Sequence, residues 1–179
     1  PAPETGDYFL AVSRLAPYKR VDLAVAAFAQ LGLPLLIVGE GRDRASLERM
    51  ASPNVRFLGW QPPEKVRELL ARCRAFIFPG EEDFGIAPVE ALASGRPVIA
   101  YAGGGALETV QDEITGLFFR EASPESLAEA VARFQRVAGS FDSNVIREQA
   151  LQFDTSVFRE RMAAFMAEKT GAAAPAGKA

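Results

Sequence analysis

A strand, a helix and a second strand can be read from AFIFPGEEDFGIAPVEALASGRPVIA, residues 75–100. The two strands, within 75–80 and 97–105, are continuous apolar runs and lack the alternation of a strand with one wet face. Strands that helices cover on both sides have this composition, and they usually belong to parallel sheets. Between them VEALASG, residues 89–95, predicts a helix that Gly95 closes. The expected fold class is therefore α/β, a Rossmann-like parallel sheet with helices on both faces.

The same alternation continues through the rest of the chain. Open parallel sheets bind ligands at the carboxyl ends of their strands, so the loops that follow the strands are the candidate ligand-binding segments. Five such loops are SRLAPYKR, GEGRD, GW, GEEDFGIAP and AGGGALE. The other predicted strands span 8–15, 34–39, 55–59 and 116–119, and the other predicted helices span 21–31, 143–152 and 155–168, with two more after Pro62 and Ser123.

Composition excludes several functional classes. With 179 residues, 49% hydrophobic and 24% charged, the chain has the size and composition of one globular domain. The net charge is −3 and Lys and Arg do not cluster, so we expect no nucleic-acid partner. Histidine is absent, which excludes a Ser-His-Asp triad, and the single cysteine, Cys73, falls on the apolar stripe of a helix. No apolar run approaches the roughly 18 residues of a membrane span, so we expect a cytoplasmic protein.

Two carboxylates flank the predicted start of a helix in EEDFGIAPVE, residues 81–90. We place Pro88 first in the helix, which puts Glu90 in the first turn and Glu82 on the preceding loop. Backbone N–H groups near Gly85 then lack helical partners and form an anion site that the helix dipole favours. Carboxylates on both sides suit a ligand with hydroxyls on both sides of its phosphates, as in a nucleotide sugar. For Glu90 alone, a simple dipole contribution of about 0.3–1 kcal/mol is the alternative.

The spacing of these glutamates resembles the signature of the retaining glycosyltransferases of family four, the group 1 glycosyl transferases, whose GT-B fold has two Rossmann-like lobes. That signature has two glutamates separated by seven residues around Phe-Gly, as Glu82 and Glu90 are, before a helix ending in small residue–Gly–x–Pro-Val. The resemblance extends over residues 8–135. It implies that Glu82 holds hydroxyls of the donor sugar and that Glu90 holds the ribose diol. Further donor contacts are implied for Phe84, Gly85, Ile86 and Ala87.

Two cations, Arg14 and Lys19, lie in the first of the five loops. Taken alone they are solvated loop charges, whereas the resemblance implies that they hold the donor diphosphate and neutralise its developing charge. Other glycosyltransferases use a metal on an Asp-x-Asp motif, which this sequence lacks, so the resemblance implies neither a metal nor another cofactor. Arg14, Lys19 and Glu82 are the predicted catalytic group. No side chain is assigned as an acid or base, because in this family the leaving phosphate is thought to take the acceptor proton.

The loop GEGRD carries Gly39 and Gly41, which suggest a dinucleotide motif. That motif needs a third glycine at position 44, where Arg44 stands, and it should follow the first strand rather than the second. The family resemblance instead implies that Gly39 borders the nucleotide pocket, with Arg56 near the base. It also places the glycines of AGGGALE near the reaction face, although a flexible turn explains them equally well.

These observations predict the donor-binding domain of a retaining, metal-independent hexosyltransferase, with GDP-mannose or a UDP-hexose as substrate and mannose as one candidate sugar. Residues 1–6 are expected to be a linker from a missing N-terminal, acceptor-binding lobe, 7–168 the nucleotide-sugar domain, and 169–179 a disordered tail. Peripheral membrane contact through the missing lobe is left open, and the isolated chain is expected to be inactive. A nucleotide-sugar-binding module without turnover and a nucleotide-sugar 2-epimerase are the alternatives.

Overall fold

The structure is a computed structural model in which residues 5–170 are described. Within that range six strands form one sheet in the order β3-β2-β1-β4-β5-β6, and every neighbouring pair is parallel. This arrangement confirms the predicted fold class. The strands are β1 (Phe9–Val12), β2 (Leu35–Val38), β3 (Val55–Gly59), β4 (Phe76–Phe78), β5 (Val98–Tyr101) and β6 (Gly116–Phe119).

Helices cover both faces of the sheet, as continuous apolar strands require. One core layer lies under α1, α2 and α6, and the other under α3, α4, α5 and α7. Cys73 is fully buried in the second layer, as predicted, and burial raises the pKa of its thiol to about 12. The helices are α1 (Val21–Leu31), α2 (Arg44–Met50), α3 (Pro63–Arg72), α4 (Ile86–Ala93), α5 (Ala106–Thr109), α6 (Pro124–Val137), α7 (Ser143–Leu151) and α8 (Thr155–Thr170), with 3-10 turns at Pro17–Lys19 and Ala138–Ser140.

The strand order reverses between β1 and β4. From β1 the chain builds outward through β2 to β3, and then it returns to β4 and builds the other way to β6. Loops leaving neighbouring strands on opposite sides of such a reversal open a crevice at the carboxyl ends. The loops after β1 and β4, which carry Lys19 and Glu82, flank this crevice.

The start of α4 differs from the prediction. The helix begins at Ile86, so Pro88 is its third residue and Glu90 its fifth, beyond the first turn. Proline is tolerated there because the first N–H groups of a helix have no intrahelical partner to lose. Gly85, with φ +80°, is the residue that turns the chain into the helix.

The last helix, α8, extends to Thr170, two residues into the predicted tail, and residues 171–179 lie outside the described residues. Large apolar side chains of α8 are exposed: the relative exposure is 59% for Phe158 and 56% for Phe165. At the other end, residues 1–4 are likewise outside the described part, whereas Gly6 donates a backbone hydrogen bond to Arg72. None of the helices within residues 5–170 is long and apolar enough to cross a membrane.

Gly39 makes the crossing of two loops possible, and replacing it should be strongly destabilising. Its φ is +129°, and a β-carbon there would overlap the carbonyl oxygen of Ser13 in the loop after β1. We expect Gly39→Ala to cost about 3 kcal/mol, from backbone strain and overlap together. For a domain of this size that lowers Tm by about 6–12 °C.

Two other glycines separate the two contributions to that cost. Gly32→Ala shares the positive φ of +66° without any neighbouring atom within 4 Å, so only strain of about 1 kcal/mol is expected. Gly139→Ala has open space and no positive φ, so Tm should hardly change. Thermal unfolding of the three variants measures the series, and equal Tm values for Gly39→Ala and Gly32→Ala would contradict the overlap.

Candidate functional site

An ion pair joins the two loops at the reversal point of the sheet. Lys19, at the end of the 3-10 turn after β1, places its Nζ 2.5 Å from Oε1 of Glu82 in the loop after β4. Both side chains are mostly buried, with relative exposures of 15% and 24%. Gly80 permits this approach, because a β-carbon there would lie 2.8 Å from the Lys19 carbonyl oxygen. The structure thus brings together two of the three predicted catalytic residues.

The amino end of α4 lies directly after Glu82. The backbone N–H groups of Ile86 and Ala87 occupy its first positions, where a helix offers donors without internal acceptors. The glycine loop after β5 fixes this segment, since Gly105 donates its N–H to the carbonyl oxygen of Glu82 at 2.7 Å. A cation, a carboxylate and a helix amino terminus therefore share the centre of the sheet edge. That set can bind an anion next to hydroxyl groups.

Two predicted donor-binding residues lie away from this centre. Glu90 is exposed and borders a groove of about 910 Å³ between α4 and α7, together with Ile86 and Arg147. Phe84 turns toward the same groove and packs against Phe153, with ring centroids 5.6 Å apart. Glu90 is the fifth residue of α4, whereas the prediction had made it the third, about half a turn closer to the helix start.

Arg14 and Gly39 stand at the carboxyl edge, on the β2 side of the centre. Arg14 is exposed and makes no ion pair with any residue in the described range. Gly39 was predicted to allow close approach of a nucleotide, and the close approach seen is to the backbone of Ser13. The loops after β1 and β2 are also tied by the N–H of Leu15, which donates to the carbonyl oxygen of Glu40 at 2.9 Å.

The placement of Arg56 does not support the predicted contact with the base. Arg56 is the second residue of β3, exposed on the edge strand, and precedes the carboxyl end of β3 by three residues, or about 10 Å. Trp60 is the aromatic residue at that end, with a relative exposure of 70%. Its backbone N–H donates to the Glu40 carboxylate at 3.2 Å. Trp60 is therefore better placed than Arg56 to contact a base.

Sequence reasoning missed a second concave surface beside the ion pair. A cleft of about 500 Å³, called here the side cleft, is bordered by the loops after β1, β4, β5 and β6. Its lining contains no residue of α4. The strand order across the reversal brings these loops together, and the sequence does not state that order. Besides Glu82, the cleft is lined by Tyr18, Arg20, Glu81, Asp83, Tyr101 and Ala122.

Known structures share this fold. The structure of the Anabaena protein HepE in complex with UDP and glucose matches with a TM-score of 0.79 and 21% identity, covering 92% of this chain and 49% of that chain. Sucrose-phosphate synthase from Thermosynechococcus elongatus matches with a TM-score of 0.80 and 27% identity, covering 97% of this chain and 47% of that chain.

Several proteins that are similar to this chain in sequence are named as glycosyltransferases. A GDP-mannose-dependent alpha-mannosyltransferase of Mycobacterium tuberculosis is 38% identical over 133 residues, which is 71% of this chain and 35% of the relative. A D-inositol 3-phosphate glycosyltransferase of Nocardia farcinica is 34% identical over 139 residues, 67% of this chain and 31% of the relative. This chain thus spans about a third of the length of both relatives. The family model described as glycosyl transferases group 1 matches residues 1–139, and the chain belongs to that family.

Proposed function

We propose that this chain is the donor-binding domain of a retaining, metal-independent glycosyltransferase that moves a hexose from a nucleotide diphosphate sugar to an acceptor. The observation that carries the proposal is the Lys19–Glu82 pair, held at 2.5 Å beside the amino end of α4. A cation and free amides accept a diphosphate, and an adjacent carboxylate accepts sugar hydroxyls. A nucleotide diphosphate sugar needs a diphosphate site and a hydroxyl-accepting carboxylate next to each other.

Binding of such a donor exchanges one set of interactions for another. The diphosphate takes Lys19 as its counterion, with Arg14 available at the same edge, while sugar hydroxyls donate to the carboxylate of Glu82. Both members of the buried pair therefore keep a partner, which avoids leaving an uncompensated charge. A diphosphate without a sugar satisfies only Lys19, so the sugar contributes binding energy of its own through Glu82. Glu90, in the neighbouring groove, is proposed to accept from the ribose diol.

The cations act on the transition state rather than on the bound donor alone. As the bond to the sugar breaks, negative charge grows on the leaving diphosphate, and Lys19 and Arg14 stabilise it in the role that a metal has elsewhere. Histidine is absent from the sequence, and no other side chain beside the ion pair is assigned as a proton acceptor. We propose that the leaving phosphate takes the acceptor proton on the same face of the sugar.

Mannose is the sugar that the relatives favour, because three of them are named as GDP-mannose-dependent mannosyltransferases. HepE, which shares the fold, has structures in complex with UDP and glucose and with UDP-glucose, so a UDP-hexose stays a candidate donor. The acceptor is proposed to bind mainly to a preceding N-terminal lobe, since the relatives are about three times as long as the matched segment. A cytoplasmic enzyme is proposed.

Nucleotide binding tests this function, and the binding should persist in the presence of a chelator. Calorimetric titration of GDP, UDP, ADP and their sugars is expected to give one preferred nucleotide, with a Kd in the micromolar to millimolar range and no change in EDTA. Lys19→Met should weaken that nucleotide roughly tenfold or more, because a charge-assisted hydrogen bond is lost. Lys65→Met is the matched control, since Lys65 forms an exposed ion pair with Glu68 on α3.

Each outcome bears on a different part of the proposal. Failure of every nucleotide to bind would contradict donor binding altogether. Loss of binding only in EDTA would contradict metal independence, and equal weakening by Lys19→Met and Lys65→Met would remove Lys19 from the site.

A further inference from the structure

The side cleft contains an aromatic ring and a carboxylate that the glycine loop after β5 brings together. A β-carbon at Gly103 would lie 2.8 Å from a ring carbon of Tyr101 and 3.2 Å from Cδ of Glu81. The space that a side chain at position 103 would fill is therefore taken by these two groups. The Tyr101 ring also packs against Phe119, at a centroid distance of 5.6 Å. The ring and the carboxylate are held side by side at the cleft wall.

The charges of the cleft favour an uncharged ligand. Arg20 is paired with Asp22 at 3.2 Å and Lys19 is paired with Glu82, so both cations near the cleft are neutralised. Glu81 makes no ion pair within residues 5–170, and neither does Asp83 on the same loop. Two free carboxylates repel a phosphate and accept hydrogen bonds from hydroxyl groups.

Backbone strain marks the same place. Arg20 has φ +50° and lines the cleft, although a residue with a side chain rarely adopts the left-handed region. Such strain persists where the surroundings fix it, and it concentrates at ligand sites. Here Arg20 ends the 3-10 turn Pro17–Lys19, its N–H donates to the Pro17 carbonyl oxygen at 3.1 Å, and its side chain pairs with Asp22.

We infer that the side cleft is a subsite for a hydroxyl-rich, uncharged part of the acceptor, such as a sugar or polyol ring. The inference rests on the proposed function, which puts the donor sugar at Glu82, a residue that also lines this cleft. The amides of α4 do not border the cleft, so a molecule bound there sits beside the donor rather than in its place. Glu81 then accepts hydroxyls, and the ring of Tyr101 covers the apolar face of the sugar.

Backbone and side-chain NMR of the 179-residue chain tests this subsite with two matched probes, methyl α-mannopyranoside and mannose 6-phosphate. The neutral sugar should shift the resonances of Tyr101, Gly103, Gly104 and Ala122 in a saturable way, with a Kd in the millimolar range. The same shifts should appear when a saturating nucleoside diphosphate is present. Mannose 6-phosphate should bind at least tenfold more weakly at these residues, because its phosphate meets Glu81 and Asp83.

Variants identify the groups responsible. Glu81→Gln keeps the shape and removes the charge, and it should weaken the neutral sugar at least fivefold. Gly103→Ala should fold, since its β-carbon meets only side-chain atoms, yet it should abolish the saturable shifts by displacing Tyr101 and Glu81. Gly139→Ala, in open space, is the control and should bind as the parent does.

Three results would overturn the subsite: no saturable shift at the cleft, displacement of the sugar by the nucleoside diphosphate, or preference for mannose 6-phosphate. The first and third refute the ligand class, and the second would make the cleft part of the donor site. The diphosphate titration separates this failure from failure of the proposed function. Shifts of Lys19 and Ile86 on adding diphosphate show that the donor site works even when the cleft does not.

Discussion

Residues 1–179 alone should release nucleoside diphosphate from the best donor no faster than the uncatalysed background, with or without candidate acceptors. The proposed donor contacts lie in the loops after β1 and β4 and on α4, and together they form a single wall of a site. Holding two reactants in line contributes roughly 7–11 kcal/mol to catalysis, or more than five orders of magnitude in rate, and it needs a second wall. Closure of a second lobe also excludes the water that competes with the acceptor.

The measurement compares diphosphate release by this chain with release by the same chain joined to a preceding lobe of the length found in its relatives. The joined protein should be faster by several orders of magnitude, although both should bind the nucleotide with similar affinity. Similar affinity in both is the control for folding, because it shows that the donor wall is intact. Robust acceptor-dependent turnover by the 179-residue chain would mean that the site is already complete within it.

The fold was predictable because its strands carry a strong local signal. Runs such as PLLIVG and AFIFPG are apolar at every position, and that composition requires cover on both faces wherever the strands lie in the sheet. The placement of Lys19 and Glu82 at one edge followed from the same signal, since parallel strands put their following loops at one edge. The ion pair between the two side chains was not predicted. The sequence contains no equally strong indication of which strand neighbours which.

The errors lie where a position depends on the start of a helix or on strand order. Pro88 appeared to mark the first residue of α4, but proline fits any of the first three positions, so Glu90 moved out of the first turn. Arg56 lies on a correctly predicted strand, three residues before its carboxyl end, and its contact with a base stays a prediction. The side cleft needs β1, β4, β5 and β6 as neighbours, which only the folded sheet shows.

In the joined protein with the preceding lobe, Lys19→Met should lower kcat by about 10²–10³, the second-largest effect we expect. Removing one preorganised group that stabilises charge in the transition state commonly costs this much. The effect on nucleotide affinity should be smaller, roughly tenfold, because the charge on the diphosphate grows as the bond breaks. A larger loss in kcat than in affinity distinguishes transition-state stabilisation from simple binding.

Together with Lys19→Met, the variant Glu82→Gln and the double variant form a double-mutant cycle. Glu82→Gln should weaken binding of the nucleotide sugar by about tenfold or more. Free diphosphate should bind as well as before or better, since the change removes a negative charge beside Lys19.

The stabilities of the variants should rank differently from their activities. Each single change leaves a mostly buried charge unpaired, whereas the double change leaves none. The double variant should therefore unfold at a higher urea concentration than Lys19→Met, although its kcat is at least as low. If the double variant is no more stable than Lys19→Met, the pair does not hold the two loops together. If Lys19→Met and Lys65→Met turn over alike, Lys19 does not stabilise the leaving diphosphate.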